Sequence, residues 1–566
     1  MIEKESESLL SKFLLVGPAA VTLLVFTSGM TDPVNVNKLL ALGVFSCAGF
    51  ALLTVKTYRF IWKEHKLAVI AGLGFVLASI NSLLQSDSPI TQQLYGVYGR
   101  NNGILLYLLL LLLFTVALTL TKISSVRMVL ISLVVAGLVN LVYCGWVLLY
   151  GDFIGWTNPY GNILGTFGNP NFVGAFLGMF SSLLISLVIA YHRDIKILVP
   201  VLLALGVTII EIVESNAMQG RVLLVLGIVI NGFYLVKSRF KSWAPLAIYS
   251  AISAAGGIVG LLGTLQIGPL TQILYKQSVS LRGEYWNAGL NMGKTHLLSG
   301  VGFDSYGDWY RESRRASALI TPGPETITNT SHNVFIDIFA FGGLPLIFFY
   351  LAIFGFVVLS IVRQTRRNQE FDPIFVSLSG AWLGYQLQSV ISINQIGLAL
   401  WGWLLGGSII AYERISRNSS NPEQLKSKTG SRKPVNSQFI SPSLRAGIAM
   451  GLGLIIVVPP FSADVKWRSA QESGDAARIE SVLVPSYFNP PTSYKYLQIV
   501  GALEQSNLTD LAHKYAAKAV EYNPRSYESW RLFTVIRSAT PEEIEIALGK
   551  MAELDPKNPN LAPSIK

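Results

Sequence analysis

The sequence predicts an all-α, polytopic membrane protein with about thirteen transmembrane helices and a small α-helical carboxyl-terminal domain, and three observations carry that expectation. Of 566 residues, 51% are hydrophobic and 14% charged, and the mean hydropathy is +0.47; a soluble core does not need that excess. Apolar runs about 20 residues long recur along the chain, the length that crosses a bilayer core as a helix. Runs such as 105–113 are apolar on every face and rich in leucine, so helices rather than strands satisfy their backbone groups in lipid.

Taken in order, residues 1–266 form an amino-terminal bundle of about nine helices, with spans near 13–30, 39–55, 67–84, 103–121, 126–150, 171–191, 195–213, 221–236 and 243–266. A long polar loop occupies 267–332. Three more spans fall within 333–412, near 333–362, 374–392 and 396–412. A flexible linker rich in Ser, Asn and Lys fills 413–442. A last span follows at 443–460, and then a charged helical segment at 461–566.

Alternate loops differ sharply in charge, and Lys and Arg in short loops tend to stay on the cytoplasmic side. One set carries Lys56, Arg59, Lys63 and Lys66; Lys122 and Arg127; Arg193 and Lys196; Lys237, Arg239 and Lys241; Arg363, Arg366 and Arg367; and the basic residues of 414–433. The short loops between hold little beyond Lys38, Arg100 and Arg221. The amino terminus is therefore expected inside and the 267–332 loop outside. The 461–566 tail is also expected outside, provided 443–460 is a real span. The same bias accounts for most of the net charge of +11, so nucleic acid is not an expected partner. Glu3, Glu5 and Glu7 do not suit the basic start of a cleaved signal, which leaves the first span as an anchor. Cys47 and Cys144 fall inside spans, as small buried hydrophobes rather than a disulfide.

In the tail, Ala-rich helical segments at 511–521 and 547–554 run into Asn523-Pro524 and Asp555-Pro556. That spacing resembles tetratricopeptide helical hairpins, with a degenerate further repeat near 494–508. Either a helical cap without a ligand or a module that binds a protein partner fits this segment.

For chemistry, some motifs are missing. No Asp-x-Asp motif or cytosolic domain supports a nucleotide-sugar transferase, and the histidines at 65, 192, 296, 332 and 513 are too scattered for a metal-ligand cluster. No metal or cofactor is expected. The run from Gly289 to Thr295 imitates a phosphate-binding loop, but Ala288 stands where its first glycine is needed and no strand precedes it.

The polar features that remain gather on the outer face. Arg100 sits in a Tyr- and Gly-rich cluster before the fourth span. Gly168-Asn169-Pro170-Asn171 precedes the sixth, and Arg221 opens the eighth. The long loop adds Arg282 with Trp286, then Gly300-x-Gly302-x-x-Ser305-Tyr306, and closes on Ser331-His332-Asn333. Each has a plain structural alternative. Arg100 could snorkel, Asn169-Pro170-Asn171 could only cap a helix, Arg221 could pair with Glu214, Arg282 could lie on a solvated face, and His332 could simply start a helix. Gly174 and Gly178 would let helices approach closely. Together, however, outer-face arginines beside a histidine form an anion site. Arg grips phosphate oxygens through paired hydrogen bonds, which suits a polyprenyl diphosphate.

These motifs, in this order and with Gly342-Gly343 ten residues beyond His332-Asn333, resemble the O-antigen ligase and polymerase superfamily of bacterial envelope glycosyltransferases, over residues 95–400. The resemblance implies a helical fold akin to the C-type glycosyltransferases, in the bacterial inner membrane. It implies metal-independent transfer of a glycan from undecaprenyl diphosphate, on the outer face of that membrane, to an acceptor such as a lipid core, a protein or a polymer end. Carried over residue by residue, Arg221 and Arg282 would grip the donor diphosphate, and His332 would orient or deprotonate the acceptor hydroxyl. Arg100, Asn169, Asn171, Tyr306 and Asn333 would line the same substrate cavity. One departure stands at Gly220, where family members often have Ser or Thr before the first arginine. A tetratricopeptide-like tail also occurs in the family. A polymerase extending lipid-linked repeats shares the donor site and is the nearest alternative. A small-solute or bicarbonate transporter is a more distant one, because transporters gather their polar groups at the midplane. A scaffold whose tail recruits other proteins is more distant still.

Overall fold

The computed structural model describes residues 2–265, 267–268, 271–274, 281–419 and 440–561. Their regular structure is helical, and no strand forms among them. The amino-terminal part consists of α1 (Ile2–Leu23), α2 (Asn35–Ala51), α3 (Val55–Glu64), α4 (Lys66–Gln85), α5 (Ile90–Tyr95), α6 (Ile104–Leu118), α7 (Ile123–Tyr150), α8 (Pro170–Ala190), α9 (Ile195–Glu214), α10 (Met218–Arg239) and α11 (Trp243–Thr264). Beyond a single turn at Thr271–Leu274, the loop carries α12 (Arg282–Thr295) and α13 (Tyr306–Ser313). Then come α14 (Val334–Arg367), α15 (Pro373–Ile391), α16 (Ile396–Ser419) and α17 (Pro442–Ser473). The tail is built from α18 (Ala476–Ser481), α19 (Ser493–Gln505), α20 (Thr509–Tyr522), α21 (Tyr527–Leu532) and α22 (Pro541–Leu554).

Among the described residues, nine helices are long and apolar enough to cross a membrane: α4, α7 to α11, α14, α16 and α17. Counting the bent pair α2–α3 as one span adds a tenth. Helices also stand at the other expected positions, but α6 has only 15 residues and α1 opens on a charged stretch. Most of the expected 413–442 linker, residues 420–439, lies outside the described residues; its start, through Ser419, continues α16.

The core is centred on α16, which is buried along its whole apolar length and packs against α6, α14 and α15. Trp401 and Trp403 are fully buried, and Trp403 meets Phe75, Tyr350 and Phe354 edge-on. Trp401 Nε1 donates to Thr22 Oγ1 at 3.0 Å, tying α16 to α1. Outside this core the order reverses. The apolar stretch of α11 is only 6% buried, and α9 and α17 expose Ile, Leu and Val along much of their length. Apolar surface outward and close packing inward is the arrangement a bilayer selects. Small residues set the close approaches. A Cβ on Gly220 would lie 2.7 Å from the Gly174 carbonyl, and one on Gly178 would lie 2.9 Å from the Gly220 carbonyl, so α8 and α10 touch backbone to backbone. Glycine at 220 is thus a packing requirement.

The basic loops share one end of the bundle. Arg414 donates to the Leu118 carbonyl at 2.9 Å and contacts His65, Arg367 pairs with Glu413 at 2.7 Å, and Lys122 pairs with Glu7. Because α14 runs from Val334 to Arg367, His332 lies at the opposite end.

Two expected elements differ. The span at 333–362 is broken, since Gly342 and Gly343 have non-helical backbone inside α14. The groups freed at the break are satisfied by the long loop. Val301 N donates to the Ala340 carbonyl at 2.8 Å, Gly302 N to the Phe341 carbonyl at 3.1 Å, and Leu344 N to the Leu297 carbonyl at 2.8 Å. The Gly300-x-Gly302 and Gly342-Gly343 motifs are therefore two halves of one joint. A Cβ on Gly300, at φ +64°, would sit 2.3 Å from the Gly342 nitrogen. Gly300→Ala is accordingly expected to destabilise the protein by at least ~1–3 kcal/mol from backbone strain, and wild-type thermal unfolding in detergent would refute the joint. The second difference is at Pro459-Pro460, expected to end the last span. Instead α17 continues to Ser473, because the Asp464 carboxylate accepts from Thr31 N at 2.9 Å and Asp32 N at 3.1 Å and so fixes the following turns against the bundle.

Candidate functional site

The site begins where α14 begins. Asn333 caps the helix, its side chain accepting from Phe335 N at 3.0 Å and Ile336 N at 3.2 Å. One turn in, Asp337 is 4% exposed, and its carboxylate accepts from Ser331 N and Ser331 Oγ, both at 2.7 Å, and from the Thr330 hydroxyl. These bonds clamp the preceding turn and hold His332 in the left-handed region at φ 58°, its N–H donating to Thr330 Oγ1 at 3.1 Å. Left-handed backbone at a non-glycine residue costs free energy and persists where the surroundings fix it. The His332 ring packs on Tyr285 of α12, with ring centroids 5.6 Å apart. The sequence reading missed Asp337; the available signal was an acid just inside an apolar span.

Helix α12 presents Arg282 in its first turn. A Cβ on Gly289 would lie 2.6 Å from Ile336, and one on Gly293 2.4 Å from Phe339, so α12 lies flat on the first turns of α14. Tyr306 is fully buried and its hydroxyl donates to the Tyr285 carbonyl. It therefore positions α12 and does not face open space. Arg282 is half-buried and its Nε has no partner. Burial holds its guanidinium below the usual range. A cation in the first turn adds to the positive end of the helix dipole, so the local field favours an anion.

Arg100 arrives from the α5–α6 loop. The Asp304 carboxylate accepts from Val97 N at 2.6 Å and secures that loop. Arg100 Nη1 is buried without a partner, while the guanidinium stays in the field of Asp304 and Asp337. Burial pushes the Asp304 carboxyl up to about 6, against the pull of Arg100. His332 goes the other way, down to about 4, through burial first and then the positive charges of Arg100 and Arg282. Its Nδ1 has no protein partner. The fold thus gathers two arginines around one neutral imidazole.

Arg100 also borders a cavity of about 640 Å³, with Asn35, Trp156, Tyr160, Asn169 and Gln395 on its walls. Asn169 lines it while capping α8, its Oδ1 accepting from Asn171 N at 2.9 Å and its Nδ2 donating to Tyr160 at 3.0 Å. Asn171 is exposed. Arg221 is exposed as well, and its guanidinium donates to the Val213 carbonyl at 3.5 Å. No hydrogen bond or ion pair among the described residues joins it to Glu214, His332, Arg282 or Arg100. His296 packs edge-on against Trp309 at 4.5 Å.

No protein-family model matches the chain, and no curated protein matches it significantly.

Proposed function

We propose that the chain is an O-antigen ligase-like glycosyltransferase. It moves a glycan from an undecaprenyl-diphosphate donor to an acceptor on the outer face of the bacterial inner membrane, and needs no metal for the step. One observation carries this reading: Arg100, Arg282 and His332 converge at the end of the bundle away from the basic loops, each with a side-chain nitrogen buried and unpaired. Unpaired buried donors are costly without a ligand, and a diphosphate supplies acceptors for both guanidinium groups. In this reading the bundle crosses the membrane about thirteen times, with the amino terminus in the cytoplasm and a tetratricopeptide-like tail outside.

The arginines would stabilise the departing diphosphate, and His332 would take the proton of the acceptor hydroxyl as that oxygen attacks the sugar carbon. Arg221, placed apart from this cluster, would act only on a donor long enough to reach the α9–α10 turn. The test is the lipid fraction of a deletion strain, which is expected to accumulate undecaprenyl-linked glycan; an unchanged lipid fraction refutes the reading. Chain lengths in the same strain separate the two acceptors. Loss of long chains marks a polymerase, and free polymer beside unmodified acceptor marks a ligase.

A pH dependence follows. With His332 at about 4, the imidazole stays neutral and able to accept a proton at every pH above that value. The kcat/KM for transfer reports the free enzyme. It is expected to stay level between pH 7 and 8, to decline as the Asp304 carboxyl that secures the Arg100 loop takes up a proton near pH 6, and to be lost as pH drops toward 4. In Asp304→Asn, which removes the carboxyl near 6, a decline still centred at the ordinary histidine value of about 6.5 would contradict the buried site.

A further inference from the structure

A second cavity, of about 290 Å³, lies between the α5–α6 loop, α13 and the tail. Its size is near the lower end of small-molecule sites, about 300–1,000 Å³. Tyr95 enters it from the end of α5, Tyr98 from the loop, and Tyr494, Tyr522 and Tyr527 from the tail. Most of these rings are fixed. Tyr98 stacks on Tyr494 at 4.3 Å with planes 5° apart, Tyr522 meets the Thr91 hydroxyl at 2.9 Å, and Arg311 lies 3.9 Å over Tyr527.

The charged residues of the lining are already engaged. Asp308 accepts from Gln92 at 2.8 Å, and Arg311 pairs with Glu528 at 3.0 Å. Neutral groups are left over. Asn101 is 3% exposed and its Oδ1 has no partner, and Ser493 Oγ is likewise buried and unpaired. An aromatic cleft with spent charges and unpaired neutral oxygens suits a ligand with flat C–H faces and many hydroxyls. Position supplies the rest. Arg100 belongs to the anion cluster and Asn101, one residue on, to the cleft, a Cα step of about 3.8 Å. A sugar joined to a diphosphate held by Arg100 thus has this cleft one residue away along the loop, beside the larger cavity that Arg100 itself borders.

We infer that this cleft is a saccharide subsite for the donor glycan, walled in part by the carboxyl-terminal domain. The inference rests on the glycosyltransferase reading. It is tested on full-length protein in nanodiscs, using the lipid-free oligosaccharide released by mild acid from the lipid-linked glycan of the deletion strain, with binding followed by saturation-transfer NMR. Wild type and His332→Ala are expected to bind alike. Tyr95→Ala and Asn101→Gly are expected to bind about tenfold more weakly, equivalent to ~1.4 kcal/mol. Glycine at 101 keeps the left-handed backbone, φ 56°, and gives up the long Asn101 Nδ2 bond to the Tyr95 carbonyl at 3.4 Å. Unchanged binding by both cleft variants, or no binding by wild type, overturns the subsite while leaving His332-dependent transfer standing. If no lipid-linked glycan accumulates, the transferase reading falls and the subsite with it.

Discussion

Replacing His332 or Arg282 with alanine is expected to leave a folded, membrane-inserted protein whose glycan transfer is lower by about a hundredfold to ten-thousandfold, the range for losing a positioned general base or a charge aimed at the transition state. Both side chains lie at the edge of their elements. His332 is held through its backbone and its ring contact with Tyr285, and Arg282 makes no ion pair among the described residues. Removing either should therefore change folding little. Lipid-linked glycan should accumulate in cells carrying either variant, and normal transfer by both would sink the mechanism. Arg282→Lys separates charge from shape. Lysine keeps the charge but loses the paired donors, so partial activity indicates a long-range field and near-complete loss indicates bidentate phosphate contact. Asp337→Asn probes the support beneath the imidazole. It leaves the α14 cap at Asn333 in place and weakens the bonds from Ser331 and Thr330, so transfer should fall while the protein stays folded.

Much of the helical frame was legible because long apolar runs can do little else in lipid. The sorting of basic residues to one end was legible for a related reason, and Arg414, Arg367 and Lys122 meet there. Motif pairs were visible as strings but not as partners. Nothing in the spacing of Gly300-x-Gly302 says that it closes the break at Gly342-Gly343, because that match is made by backbone groups brought together only in the fold. The same holds for the site. His332 and Arg282 could be named from the sequence, and Arg100 could be placed near them, but the role of Asp337 depends on a turn whose bonds are local in space and silent in composition. Tyr306 shows the converse. A tyrosine beside a glycine motif suggests a ligand contact, yet burial and the Tyr285 carbonyl make it a prop. Prolines 459 and 460 misled for a physical reason, since a bilayer-length helix can pass through them when Asp464 anchors the turn beyond.

The contact between the tail and the loop is where a single substitution should cost most stability. Arg314 and Asp555 are both fully buried and 2.6 Å apart, with Arg311 at 3.4 Å from the same carboxylate and Arg525 stacked 3.3 Å over Trp309. Asn523 and Asp555, the residues that end α20 and α22 before a proline, are both fully buried. Asp555→Ala leaves the Arg314 guanidinium, at the end of α13, buried without its carboxylate, while Arg311 keeps Glu528, and a broken buried pair costs about 3–5 kcal/mol. The expected result is early melting and proteolysis of the carboxyl-terminal helices. Replacing both partners, Arg314→Met with Asp555→Leu, should recover most of that loss, because an apolar pair of similar volume is often as stable as a buried ion pair. Transfer should fall less for Asp555→Ala than for His332→Ala. The damage reaches the imidazole at second hand, from Arg314 over the Tyr310 ring to Tyr285, and from Tyr306 to the Tyr285 carbonyl beside the His332 ring. If Asp555→Ala melts within about 0.5 kcal/mol of wild type, as an ordinary surface change would, the domain is not braced by this pair, and the other tail contacts, Arg311 with Glu528 and Arg525 with Glu312 and Trp309, hold the loop.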